Sequence, residues 1–422
     1  MIVAVVFIVA LAIGIPIAWM LGLCGITYIA TIDLSLLAVI PQKMMSGAAN
    51  YSLLCIPLFI LAGELMALSG DVDRLCAFAR TVVGHIKGGL CYVTILVGTM
   101  LGASLGSAIA EAALLGGTIY PELRKDGYEE DFSASLIAAV SVIGPIIPPG
   151  MTFVIYGVVA NISIQKLFVA GIMPGIYMAI ALSTAIFLIG LTRDWPRQGK
   201  AKFKEFLIAL KNASFSILVP AVTLIALATG IATPTESAAV LSMLILLVGI
   251  FIYRKIKIKE LVPLFTKAAV TSVAILLISN MANIFGYALA YDQIPQKIAG
   301  AIVSISSNPY VILLLINILF LFVGMIMEPM PAIYILVPVL LPVIKQFGFD
   351  PVHIGMVICL NMAIGLITPP VGSALYTAAM STGVSANKMV KAIWPWVGVL
   401  VVVLMFITYV PDSFMWLVRL IG

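Results

Sequence analysis

Apolar residues run along this chain in long blocks, and short polar interruptions separate the blocks at intervals that suit a lipid bilayer. Met1 to Leu21, Phe215 to Ile231 and Ile393 to Tyr409 are three such blocks. Each is close to the ~20 apolar residues a helix needs to cross the hydrocarbon core. The blocks recur to the end of the chain, which predicts a polytopic helical protein and excludes a soluble domain behind one anchor. The first block has no basic start and no small-x-small site after a short apolar core, so it reads as a retained helix.

Two basic clusters break the pattern: Arg193, Arg197, Lys200, Lys202, Lys204 and Lys211, then Arg254, Lys255, Lys257 and Lys259. Two spans, 213–232 and 236–252, fit between them, so both clusters lie on one face. The positive-inside rule makes that face cytoplasmic. In the first cluster Phe203, Phe206, Leu207 and Leu210 share a helical face, which predicts an amphipathic helix on the membrane surface.

Composition agrees. Apolar residues make up 63% of the 422 and charged residues 10%, where a soluble domain carries about 25% charged residues. The net charge of +5 says little about partners, because the basic residues sit at membrane edges; no nucleic-acid partner is expected. Cys24, Cys55, Cys76, Cys91 and Cys359 show no metal-like spacing and read as small buried residues. No phosphate-binding loop, Gly-x-Ser-x-Gly elbow or His-Glu-x-x-His pair occurs, so the chain shows no motif for burning ATP or for hydrolysis.

The chain also resembles itself. An offset of 221 pairs Pro121 with Pro342, Gly127 with Gly348, Gly144 with Gly365, Pro148 with Pro369, Pro149 with Pro370 and Pro174 with Pro395. Ile137, Ile143, Ile146, Val169 and Ile172 meet identical residues in the same register. Shared apolar composition accounts for isoleucine and valine but not for glycines and prolines in step, so this is an internal repeat. From Gly127 the predicted crossings are a broken span (132–165), then 167–190, 213–232, 236–252 and 264–291. An odd number of crossings starts the second repeat from the opposite side. Inverted repeats of this kind mark secondary transporters.

Each repeat holds an apolar span interrupted by a double proline: Gly144-Pro-Ile-Ile-Pro-Pro-Gly150 and Gly365-Leu-Ile-Thr-Pro-Pro-Val-Gly372. Two prolines remove two backbone donors and push the preceding residue out of helical geometry. Unwound backbone at membrane depth is tolerated where protein buries it or it lines a polar cavity. Its carbonyls then suit a cation, and the following half-helix N-terminus suits an anion. Ahead of each break lies a second irregular element, the small-residue stretch Gly98 to Gly117 and the run Gly324-Met-Ile-Met-Glu-Pro-Met-Pro331. Both read as re-entrant hairpins. Glu64, Glu111, Glu236 and Glu328 are the candidate intramembrane acids. None recurs at the offset, which favours coupling through backbone and hydroxyl oxygens, as a hard cation such as sodium prefers. His85 and His353 lie near span ends and receive no role.

These residues resemble the large membrane subunit of tripartite ATP-independent periplasmic (TRAP) transporters. The matching runs are Tyr51-Ser-Leu-Leu-Cys-Ile-Pro57, Gly63-Glu-Leu-Met66, Gly84-His-Ile-Lys-Gly-Gly89, Ile146-Ile-Pro-Pro149, Lys166-Leu-Phe-Val-Ala-Gly171, Thr233-Pro-Thr-Glu236 and Gly365-Leu-Ile-Thr-Pro-Pro-Val-Gly372. Where the family's first hairpin usually carries Ser-Gly-Ser, this chain has Ser104-Leu-Gly-Ser107. The resemblance implies an all-α polytopic fold of two inverted repeats and an elevator-type carrier in the bacterial inner membrane. It implies a small four-helix membrane partner, a periplasmic substrate-binding protein, and sodium as coupling ion with no other cofactor. The implied substrate is an organic acid, such as a C4-dicarboxylate, sialic acid or another sugar acid.

Carried over by motif, the first sodium site falls on Ser104, Ser107, Gly144, Ile147 and Pro149, and the second on Gly324, Gly365, Thr368 and Val371. Pro148, Gly150, Glu328, Pro369, Pro370 and Gly372 are the expected substrate-facing positions. The expected segments are N-terminal scaffold helices (1–87), a first transport repeat (88–191), a cytoplasmic linker helix (192–212), further scaffold (213–308), a second transport repeat (309–392) and a C-terminal helix (393–422). The N-terminus is expected in the cytoplasm and the C-terminus in the periplasm. A one-component carrier or a channel for an organic anion is the alternative.

Overall fold

The structure, a computed structural model, describes residues 2–197 and 199–421. Met1, Gly422 and Gln198, which fall in the first, last and linker segments expected above, lie outside the described residues. Every regular element among the described residues is helical. Six helices are long and apolar enough to cross a membrane, or seven if one bent pair counts as a span.

The first apolar block is two helices, α1 (Ile2–Ile13) and α2 (Ile17–Ile32). Gly14 turns the chain at φ +77°, and Pro16 cannot continue an α-helical ladder. A short α3 (Ile40–Ala48) precedes α4 (Cys55–Ser69) and α5 (Asp71–Val83). The first hairpin follows: α6 (Gly89–Leu105) turns through Gly106 into α7 (Ala108–Thr118). After α8 (Tyr120–Lys125), the first broken span runs as α9 (Glu130–Ser141) and α10 (Met151–Ala160), and α11 (Ile164–Thr192) closes this half.

The stretch expected as a separate surface helix is the opening of a spanning one. In α12 (Phe203–Ala228) the Glu205 carboxylate accepts from the Lys202 backbone N–H at 3.0 Å at the start of the helix. No glycine or proline stops it before Pro220, so it continues into the apolar block. Then come α13 (Pro234–Leu247), the 34-residue α14 (Ile258–Tyr291) and α15 (Ile294–Ile305). The second hairpin is α16 (Pro309–Gly324) and α17 (Pro329–Gln346), and the second broken span is α18 (Pro351–Gly365) and α19 (Ser373–Thr382). By length and composition α17 alone is long enough to cross a membrane. The C-terminal stretch is likewise divided. A short α20 (Ala386–Ala392) bends by 46° into α21 (Trp394–Tyr409), and α22 (Asp412–Ile421) starts anew after Pro411.

The helices can be followed as two sets, which also pack on each other through α4 and α5 on α6 and through α14 on α17. In one, α14 lies along α2, α3 and α4, while α13 packs on α4 and α12 on α5. The other set contains both hairpins and both broken spans. Here the half-helix α10 of the first repeat packs on α17 and α18 of the second, and the half-helix α19 packs on α7 and α9 of the first. Exchanging the repeats maps one pair of contacts onto the other. That is the signature of a pseudo-two-fold axis between them, as the 221 offset predicts.

Candidate functional site

Both hairpin tips dock on the breaks of their own repeats, backbone against backbone. A Cβ on Gly102 would lie 3.0 Å from the Gly144 Cα, and a Cβ on Gly106 would overlap the Pro149 carbonyl oxygen. In the second repeat a Cβ on Gly324 would lie 3.2 Å from the Gly365 Cα, and the Val371 N–H donates to the Met325 carbonyl at 3.1 Å. The Pro148–Pro149 and Pro369–Pro370 bonds are both cis.

The first break is closed. Residues 142–150 are all buried. Pro148 and Pro149 face a narrow cleft lined by Ala103 of the first hairpin, Phe59, and Thr223 and Ser237 of α12 and α13. The Ile147 side chain fills space against Gly102 and Gly175, so only its carbonyl is left for a ligand. Ser104 is fully buried and its hydroxyl has no hydrogen-bond partner among the described residues. Ser107 caps α7, its hydroxyl accepting from the Ala110 N–H at 3.5 Å. Gly150 is buried and packs on the Pro145 carbonyl.

The second break is partly open. Pro370 is exposed, Pro369 is half-buried and Val371 is 46% exposed. The Thr368 hydroxyl donates to the Ile364 carbonyl at 2.8 Å, which leaves its lone pairs free to accept or to coordinate. Gly372 turns at φ +39° to start α19, and the Tyr376 hydroxyl donates to the Pro370 carbonyl at 3.1 Å. The structure therefore gathers Ser104, Ser107, Gly144, Ile147 and Pro149 about one hairpin–break contact. It gathers Gly324, Gly365, Thr368 and Val371 about the other.

Glu328 is exposed at the start of α17, beside the second hairpin turn. Two of the other acids have structural partners: Glu64 pairs with Lys267 at 2.7 Å, and Glu236 completes a capping box with Thr233. The five cysteines are free and buried, as read from their spacing. His353 is buried with its Nε2 against the Ile407 carbonyl at 3.2 Å.

Sequence reading missed a polar chain behind the second break. Asn361 donates to the Asn317 Oδ1 at 2.6 Å, and Asn317 donates to the Thr408 hydroxyl at 3.1 Å, all three fully buried. The available signal was two asparagines inside apolar blocks, since a buried amide needs partners.

The profile of the family described as tripartite ATP-independent periplasmic transporter, DctM component, matches residues 4–413. The sialic acid TRAP transporter large permease protein SiaM of Vibrio cholerae is 35% identical over 399 residues, covering 94% of this chain and 93% of that one. The C4-dicarboxylate TRAP transporter large permease protein DctM of Pseudomonas aeruginosa is 32% identical over 391 residues, covering 93% and 92%. The crystal structure of the Alcanivorax borkumensis YdaH transporter shares the fold, with a TM-score of 0.65 at 13% identity over 91% of this chain and 89% of that one. An all-helical membrane permease, and not an enzyme, is what the spans and these relatives describe together. The chain belongs to the DctM family, the large membrane component of tripartite ATP-independent periplasmic transporters.

Proposed function

We propose that this permease couples the inward movement of an organic acid to sodium. In this reading the acid is handed over by a periplasmic binding protein, and the chain works beside a small four-helix membrane subunit. The supporting observation is the pair of matched hairpin–break contacts, in each of which unwound backbone and a hydroxyl-bearing residue belong to the elements that meet. Among the described residues no cluster of three His, Cys, Asp or Glu stands ready for a transition metal. Neutral oxygens of this kind suit a hard cation.

The two breaks and the half-helices after them place α10 and α19 N-termini where a carboxylate is favoured. Pro148, Gly150, Pro369, Pro370 and Gly372 then frame the substrate. Glu328 carries the wrong charge to hold an anion directly and fits a role in drawing cations to the second break. The SiaM and DctM relatives are named for sialic acid and for C4-dicarboxylates, both carboxylic acids, so the substrate class is an organic acid. The helix set holding both repeats would move as one block against α2, α4, α12, α13 and α14, an elevator motion. The N-terminus would lie in the cytoplasm and the C-terminus in the periplasm of a bacterial inner membrane.

Reconstitution with both partners in liposomes tests the coupling. An inward sodium gradient is expected to drive uptake without ATP, and omission of the binding protein is expected to leave negligible uptake. Equal drive by potassium, or an ATP requirement, would overturn the reading. A point substitution tests the second break. Thr368→Val keeps the shape and removes the hydroxyl, so it should weaken apparent sodium affinity roughly 5- to 150-fold. Unchanged sodium dependence at normal protein levels would leave that hydroxyl only its bond to Ile364.

A further inference from the structure

We propose that Glu111 is a cation ligand, its carboxylate supplying the negative charge of the site between the first hairpin and the first break. The proposal rests on the sodium-coupling reading above. Glu111 lies on α7, one turn past the hairpin tip, and is 0% exposed. Neither of its carboxylate oxygens has a hydrogen-bond partner among the described residues. A buried carboxylate without a partner is strongly disfavoured, so the group takes up either a proton or a counter-charge, and a well-placed cation offsets the penalty.

Its surroundings are shaped for such a counter-charge. A Cβ on Gly98 would lie 2.8 Å from the Glu111 Oε1, and a Cβ on Gly144 would overlap Oε2. The carboxylate thus sits in a gap between α6 and the first break that glycines keep clear. The unpartnered Ser104 hydroxyl belongs to the same hairpin. A small hard cation is the ligand that carboxylate, hydroxyl and carbonyl oxygens jointly select.

The second repeat offers a comparison. The 221 offset takes Val140, which shares the Gly98 gap with Glu111, to Asn361. Asn361 is also fully buried, and its Oδ1 also lacks a partner among the described residues. The offset takes Glu111 itself to Ala332, so the second repeat has no carboxylate at the equivalent position.

The test uses the purified full chain with its membrane partner, titrated with sodium chloride against choline chloride at constant ionic strength. Thermal unfolding and binding of radioactive sodium are both read. Glu111→Gln, which keeps the shape, is expected to weaken the sodium midpoint at least about tenfold and to lower the amount of sodium bound at saturation. Glu111→Asp, which keeps the charge, is expected to fall between Glu111→Gln and the unmodified protein. A sodium midpoint and bound amount unchanged in Glu111→Gln would overturn the proposal while leaving sodium coupling intact. A protein that sodium stabilises no more than choline would instead overturn the coupling reading itself. If Glu111→Gln fails to fold, Glu111→Asp decides: a shifted midpoint supports the carboxylate as ligand and an unshifted one overturns it.

Discussion

Gly106→Ala is expected to abolish uptake while the protein still inserts and folds. Gly106 forms the tip of the first hairpin at φ +58°, where an L-residue with a Cβ costs roughly 1–2 kcal/mol. The added methyl would also overlap the Pro149 carbonyl oxygen. Both penalties are relieved together if the tip lifts off the first break, and that movement pulls apart the oxygens gathered there. Gly348→Ala separates the two effects. Gly348 has φ +66° and open space where a Cβ would go, so that variant bears the torsional cost without the overlap. It is expected to lose some thermal stability, on the order of 1–2 kcal/mol, and to keep its uptake. Uptake assays on the two variants at matched protein levels decide. Equal loss in both would trace the effect to backbone torsion and remove the argument for docking.

The second large effect is expected at Gly365→Ala. Gly365 ends α18 in helical conformation, where alanine is intrinsically favoured over glycine by about 1 kcal/mol. Its contact opposes that preference. The new Cβ would sit 2.5 Å from the carbonyl carbon of Gly324 and 2.6 Å from both its Cα and its oxygen. Overpacking costs about 1–3 kcal/mol even when flexible side chains yield, and here the neighbour is backbone. Tip and break should part, with uptake falling at least about tenfold while α18 itself remains helical. Gly324→Ala meets the same interface at 3.2 Å from the Gly365 Cα and 3.3 Å from the Met362 Cε. It should therefore be the milder of the two. The reverse ranking in sodium-driven uptake would mean that this contact does not hold the second site together.

How much of this was legible beforehand follows from how far each signal travels. Proline acts on its own backbone and on the residue before it, so Pro148–Pro149 and Pro369–Pro370 announced both breaks from the sequence alone. The hairpin turn at Gly324 to Pro331 was legible for the same local reason. At the termini equally local marks were outweighed by apolarity: Gly14 with Pro16, and Pro411, divide blocks that composition alone makes look continuous. The surface helix at Phe203 shows the opposite case. Phe203, Phe206, Leu207 and Leu210 mark one face of its first turns, but nothing in the sequence stops the helix before the apolar block that follows. What stayed hidden was contact between distant residues. Glu111 stood out as an acid in an apolar stretch, yet its meeting with Gly98 and Gly144 depends on how two helices and a break pack. The same holds for the Asn317–Asn361–Thr408 chain, which joins α16, α18 and α21.

The reciprocal packing of the two repeats also sets a schedule. The half-helix α10 has 10 residues, a length of about 15 Å in a hydrocarbon layer about 30 Å thick. Its exposed ends need protein around them, and the helices that cover it, α17 and α18, begin only at Pro329. At ribosomal rates of about 5–20 residues per second, that cover arrives on the order of 10 s after α10 is made. During that interval α10 has α4 and α11 of its own half to pack on, and the cover from the second repeat is still to come.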